Sequence, residues 1–271
     1  MPPLPTSQPS PQRSTSYWAT SRAPRYSLLF ALPLLILYEL LAALLAGPNG
    51  TGVRNAADVF VKAPFVALAG ARGPMIFAAL VIAVCVWFVW RDLRRSGGPL
   101  RGRVFGLMLA ESVALAVVCG LVVSVLTAQL LGAVGASVAT AVEVPAPLAA
   151  PLAAQAGGVS DMGWATRAML SLGAGLYEEL VFRVILVSAL AAGARALFGA
   201  RPLLTGAFAV VVGALLFSAV HYVGALGDAF TVQSFAFRTI AGLFFSALYV
   251  LRGFGITAWT HAIYDLIVLL A

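Results

Sequence analysis

The chain has 271 residues, of which 61% are hydrophobic and only 10% charged, with a formal net charge of +7 and a mean hydropathy of +0.97. Soluble domains hold about 45–50% apolar and about 25% charged residues, so a water-soluble globular domain is excluded and length is counted in spans of about 20 residues. The positive balance does not mark a nucleic-acid binder, because the basic residues lie in short loops beside apolar runs rather than in a patch interleaved with aromatics.

Residues 1–25 set Pro2, Pro3, Pro5, Pro9 and Pro11 among Ser, Thr and Arg. With too little apolar surface to pack, they predict a disordered leader. The first apolar run, about Tyr26 to Ala46, exceeds the roughly 7–15-residue core of a cleaved signal peptide and predicts a retained signal-anchor helix. The stretch 56–70 carries Asp58, Lys62 and Pro64. It is short enough to be interfacial or re-entrant, with an eighth span as the alternative. Further runs at 75–90, 104–131, 164–190, 203–223, 232–251 and 255–270 bring the spans to seven. Cys85 and Cys119 fall inside apolar runs and read as small buried hydrophobes, not as a disulfide or a zinc pair.

The expected fold is therefore all-α, a polytopic transmembrane helical bundle of about seven spans. It divides into the leader 1–25, an amino-terminal three-span unit 26–132, an Ala/Pro/Gly-rich linker 133–161, and a carboxyl-terminal four-span unit 162–271. With seven spans, Arg13, Arg22, Arg25, the arginines of 91–103, Arg195, Arg201 and Arg252 share one side of the membrane. Only Arg54, Lys62, Arg72 and Arg167 face the other. The positive-inside rule then places the amino terminus in the cytoplasm. Sixteen arginines against one lysine, with abundant Ala and Gly, suggest a GC-rich bacterial genome and hence residence in a bacterial cytoplasmic membrane.

Charge inside an apolar span costs roughly 2.5–3.5 kcal/mol per residue on insertion scales, and the four-span unit carries several. Glu178 and Glu179 are followed by Arg183. On a helix Glu179 and Arg183 share a face and can pair, which leaves Glu178 pointing elsewhere and free to act as a base. Phe217 precedes His221 by four residues, and His261 precedes Asp265 by four. The latter two share a helix face, so Asp265 can orient His261 or join it in binding a metal or water. A lone intramembrane histidine is more often a helix–helix hydrogen-bonding residue. Here, however, both histidines of the chain, two glutamates, an arginine and an aspartate fall on three spans of one unit.

The order Glu178-Glu179-x-x-x-Arg183, Phe217-x-x-x-His221, His261-x-x-x-Asp265 resembles the three motifs of the CAAX prenyl endopeptidase and bacteriocin-processing (CPBP) intramembrane protease family. The resemblance covers roughly Met162 to Ala271, and departs from the common pattern at Val184, where many members have glycine. It implies hydrolysis of a peptide bond in the membrane, with Glu178 as the base that activates water, and Glu179, Arg183, His221, His261 and Asp265 completing the catalytic set. In a metal version His221 and His261, with Glu179 or Asp265, bind a divalent ion such as Zn²⁺. In a metal-free version Glu178 and His221 activate the water while His261 and the last residue stabilise the oxyanion. The implied partners are membrane lipids and a peptide or protein substrate, lipid-modified or membrane-associated, and no nucleic acid.

Two rival readings are an ion- or proton-coupled transporter and an inactive scaffold or immunity protein. No repeat relates the two halves, which weakens the first, and all motif residues are present, which weakens the second. Outside the motifs, Glu39 and Glu111 are expected to line the polar chamber or to pair with Arg238. Arg238 could also meet a substrate carboxylate, and Asp228 reads as a loop residue. Tyr177, Tyr222 and Tyr264 each adjoin a motif position and could donate to a reacting carbonyl, although core or interfacial packing is the commoner role for tyrosine.

Overall fold

In hydrocarbon every backbone N–H and C=O must find its partner within the segment, so apolar runs of this length become helices. The structure, a computed structural model, describes residues 16–47, 52–96, 99–138, 162–199, 201–224 and 227–270. Among these there are nine helices of five residues or more and no strand: α1 Tyr17–Ser21, α2 Pro24–Leu44, α3 Ala56–Ala69, α4 Gly73–Ser96, α5 Gly102–Val138, α6 Trp164–Phe198, α7 Pro202–Val220, α8 Val232–Arg252 and α9 Phe254–Leu270. Six stretches among them are long and apolar enough to cross a membrane. The chain is thus an all-helical membrane bundle.

Two short helices bear on the number of spans. A short helix of 14 residues, α3 is roughly 21 Å long, too short for a hydrocarbon core about 30 Å thick. It meets α4 through the one-turn helix Gly70–Arg72, so the two form a bent pair and no separate eighth span arises. At the other end of the chain, α9 has 17 residues, roughly 25 Å. It is surrounded by other helices, packing on α2, α5, α6 and α8.

The core is built around α9. On one side Leu34, Tyr38, Met169, Leu172, Leu176 and Tyr177 close on Ala258 and Ala262. On the other Cys119, Val123, Phe237, Phe245 and Leu248 close on Tyr264. Small residues on α9 let α6 approach. A Cβ on Gly175 would lie 2.4 Å from the Ala258 carbonyl oxygen and 2.7 Å from Ala262 Cβ. Large apolar side chains such as Ile82, Val86, Leu121 and Leu203 face outward, as lipid-facing residues do.

The leader expectation needs correction where the structure describes it. Ser16 caps α1, accepting from the Ala19 N–H. Arg22 then donates to the Val250 carbonyl at 3.1 Å. Tyr17 donates to Glu111 Oε2 at 2.5 Å, and Arg252, 3% exposed, grips the same carboxylate at 2.5 and 2.7 Å while donating to Ser21 at 2.9 Å. Burial and the hydrogen bond to Glu111 push the Tyr17 phenol up to about 12, so it remains a donor. Residues 16–25 are therefore ordered by a buried cation that needs partners, which composition alone does not reveal. The linker expectation shifts as well, since α5 runs on to Val138. Residues 1–15 and 139–161, the rest of the leader and linker, lie outside the described residues.

Because α6 and α9 touch backbone to backbone at Gly175, Gly175→Leu is expected to force them apart. The overpacking cost is about 1–3 kcal/mol or more, and the check is a lower unfolding temperature in detergent than that of Ala262→Gly, which only removes bulk.

Candidate active site

The middle of α6 is not an ordinary α-helix. From Ala174 to Val187 it runs with the wider i→i+5 hydrogen-bond pattern of a π-helix, with α-helix on both sides. Such segments are rare and concentrate at functional sites. Glu178, Glu179 and Arg183 all sit in this segment.

Glu179 is wholly buried and Arg183 likewise, and Glu179 Oε1 stands 3.1 Å from the arginine NH1. The same oxygen is 2.7 Å from His261 Nδ1 on α9. Arg183 also lies over the faces of Phe217 and Phe245, at 4.4 and 5.6 Å, and its NH2 approaches the Gly242 carbonyl at 3.5 Å. Phe245 stacks on the His261 ring at 4.3 Å and 17°. A fully buried cation is thus matched by one carboxylate and two aromatic faces. The expected Glu179–Arg183 pair is present.

His261 is held from both sides. Its Nδ1 meets Glu179, and its Nε2 lies 3.5 Å from Asp265 Oδ2, at ion-pair distance though beyond a good hydrogen bond. The i, i+4 spacing thus brings Asp265 to His261 in the orienting position. His221 caps the end of α7, with Nδ1 2.7 Å from the Phe217 carbonyl oxygen. A carbonyl only accepts, so in the neutral ring Nδ1 carries the proton and Nε2 is left as the acceptor.

Glu178 differs from its neighbour. It keeps part of its surface exposed where Glu179 has none. It lies within electrostatic reach of His261, His221 and Arg183, as Asp265 does of His261, Glu178 and Glu179. All six motif residues therefore converge from α6, α7 and α9. Yet Glu178 is not free of partners, since Asn55 Nδ2 donates to its Oε1 at 2.9 Å. Sequence reading missed Asn55, which belongs to the amino-terminal unit. Its position just before a helix marks it as an N-cap, but no spacing connects it to a residue 123 positions on.

The other polar residues find partners away from the expected ones. Glu39 pairs with Arg54 at 3.3 Å and Lys62 at 2.6 Å, and accepts from Tyr177 at 2.7 Å. Glu111 goes to Arg252. Arg238 is not paired with either glutamate; it pairs with the loop residue Asp228 and donates to Ser234 at 3.0 Å. Tyr222 shares a hydrogen bond with Ser234, and Tyr264 packs at 6.0 Å from the Phe245 ring. Arg238 sits under the ring of Tyr222, and the Asp228 N–H donates to the His221 carbonyl at 2.9 Å. These contacts tie Asp228 to His221 and to α8.

The expected metal set of His221, His261, Glu179 and Asp265 is not gathered as ligands. Glu179 Oε2 has no hydrogen-bond partner. Its Oε1, however, serves Arg183 and His261, and both nitrogens of His261 face carboxylates. Among the described residues no group of three or more His, Cys, Asp or Glu is placed to hold an ion.

Removing Arg183 would strand a buried carboxylate. Breaking such a pair costs about 3–5 kcal/mol, so Arg183→Ala is expected to fail to give monodisperse protein in detergent, while Arg183→Lys folds with a lowered melting temperature; size-exclusion profiles and thermal melts check both.

Comparison with curated proteins and with solved structures yields no match. A family model does match, over residues 161–267, and its description is "Type II CAAX prenyl endopeptidase Rce1-like". The match spans α6 to α9 and contains every motif residue described above. Over residues 161–267, then, this chain is similar to the type II CAAX prenyl endopeptidase Rce1-like family.

Proposed function

We propose that the protein is an intramembrane endopeptidase of the CAAX type, with Glu178 as general base. The observation that carries this reading is the contrast between two adjacent carboxylates. Glu179 is fully buried and committed to Arg183 and His261, while Glu178 stays partly exposed beside both histidines. The first holds the site together, and the second can reach a water.

The step runs as follows. A water between Glu178 and His221 gives its proton to the Glu178 carboxylate, and its second hydrogen is directed to His221 Nε2, the open acceptor. The water oxygen then bonds to the peptide carbonyl carbon. His261, fixed between Glu179 and Asp265, stands near the oxygen that gains charge and stabilises it electrostatically. Glu178 passes its proton to the departing amine as the C–N bond breaks, which leaves a carboxylic acid and an amine. Asp265, 3.5 Å from His261 Nε2, orients that ring. The family description favours a lipid-modified peptide as substrate.

The test is cleavage of quenched fluorescent peptides, prenylated and unmodified, by the purified wild type and by Glu178→Gln, with metal content measured in both. Glu178→Gln is expected to lose at least about a hundredfold in kcat, within the range for a general base, with an unchanged melting curve. Cleavage by Glu178→Gln at the wild-type rate would sink the assignment.

A further inference from the structure

Asn55 is a side chain from the first unit whose hydrogen bonds all point to one purpose. It is N-cap of α3 and buried, at 8% exposure. Its Oδ1 accepts the Ala57 N–H at 2.9 Å. A backbone N–H needs an acceptor, so the oxygen must face Ala57 and the amide nitrogen must face Glu178. Its own N–H donates to Tyr38 Oη at 3.2 Å. Backbone and side chain are thus both tied, and the remaining donor is aimed at Glu178 Oε1 at 2.9 Å.

The ground under Asn55 is equally fixed. Tyr38 donates to Asp58 at 2.8 Å, and Asp58 takes Arg54 at 3.0 Å and Lys62 at 2.5 Å. Lys62 and Tyr177 converge on Glu39. Two cations and two carboxylates therefore balance within one cluster that ties α3 to α2 and α6. On α6, Gly173 opens the space. A Cβ there would lie 2.5 Å from the Tyr38 ring and 3.0 Å from Asn55 Cβ. Residue 173 is glycine so that this corner of the amino-terminal unit can reach the helix that carries Glu178.

We infer that Asn55 is a positioning residue for Glu178: its amide holds Oε1 in place, and the Glu39–Lys62–Asp58–Arg54 cluster holds Asn55. The inference rests on Glu178 acting as the base. A carboxylate on a flexible side chain samples several rotamers, and a single charge-assisted hydrogen bond selects one. By this account α3 completes the site, and the four-span unit is catalytically incomplete without the first unit.

Serine separates the two jobs of Asn55. It caps a helix about as well as asparagine, yet it is too short to reach Glu178 and carries no amide. Full-length Asn55→Ser is therefore expected to melt within a few degrees of wild type. Its kcat falls roughly tenfold to a hundredfold, the effect of losing one hydrogen bond to a charged group, while KM stays within about twofold. Asn55→Ala, which also loses the cap, melts lower than Asn55→Ser. An infrared difference spectrum between each protein and its Glu178→Gln counterpart isolates the carboxylate stretch of Glu178 and needs no substrate; the band is expected to move in Asn55→Ser. An Asn55→Ser protein with wild-type kcat and an unmoved band overturns the inference and leaves the proposed hydrolysis standing. A wild type that cleaves no peptide overturns the hydrolysis instead, and the infrared band then decides the Asn55 contact on its own.

Discussion

The interaction on which this bundle depends is the contact of one fully buried carboxylate, Glu179, with two cationic or polar partners. Arg183 and His261 share its Oε1 at 3.1 and 2.7 Å. The pair links α6 to α9 at the centre of the molecule, and aromatic faces from α7 and α8, Phe217 and Phe245, cover the guanidinium. An unmatched charge there would cost several kcal/mol in so apolar a setting. Four helices are therefore pinned to one register by the need to neutralise a single buried ion pair.

The same logic recurs at two other places. At the end of the bundle that holds α1, Arg252 is matched by Glu111, Ser21 and the ring of Trp18, which orders a segment poor in apolar residues. Beside the site, Arg54, Lys62, Glu39 and Asp58 form a balanced cluster around Tyr38 and Tyr177. Each cluster joins the first unit to the second. In a membrane the hydrophobic effect does little to choose between helix–helix arrangements, because lipid is as apolar as leucine. Buried polar matches and close contacts at Gly173 and Gly175 supply that choice instead.

The π-helical segment places the working residues. Its wider turn rotates less per residue than an α-helix, so Glu178 and Glu179 diverge less than α-helical geometry predicts. Glu179 enters the buried cluster while Glu178 remains at its edge, within reach of both histidines. Adjacent residues of one chemical type thereby acquire two environments, a common basis for dividing structural from chemical duty between carboxylates. The motif spacings were legible in the sequence; the π-helix that sets their angle was not, because no residue spacing marks its i→i+5 hydrogen bonds.

What the sequence by itself determined follows from local chemistry. Apolar runs dictated helices, i, i+4 spacing dictated the Glu179–Arg183 and His261–Asp265 pairs, and rare charges in apolar spans marked the site. Tertiary structure decided the rest, because it concerns partners distant along the chain. Asn55 reaches Glu178 across 123 positions, Glu111 reaches Arg252 across 141, and Arg238 turns to Asp228 rather than to either glutamate. Likewise the four candidate metal ligands had suitable chemistry, but Glu179 Oε1 meets Arg183 and His261 while His261 Nε2 faces Asp265, and only the packing of α6 on α9 reveals which partner each atom takes.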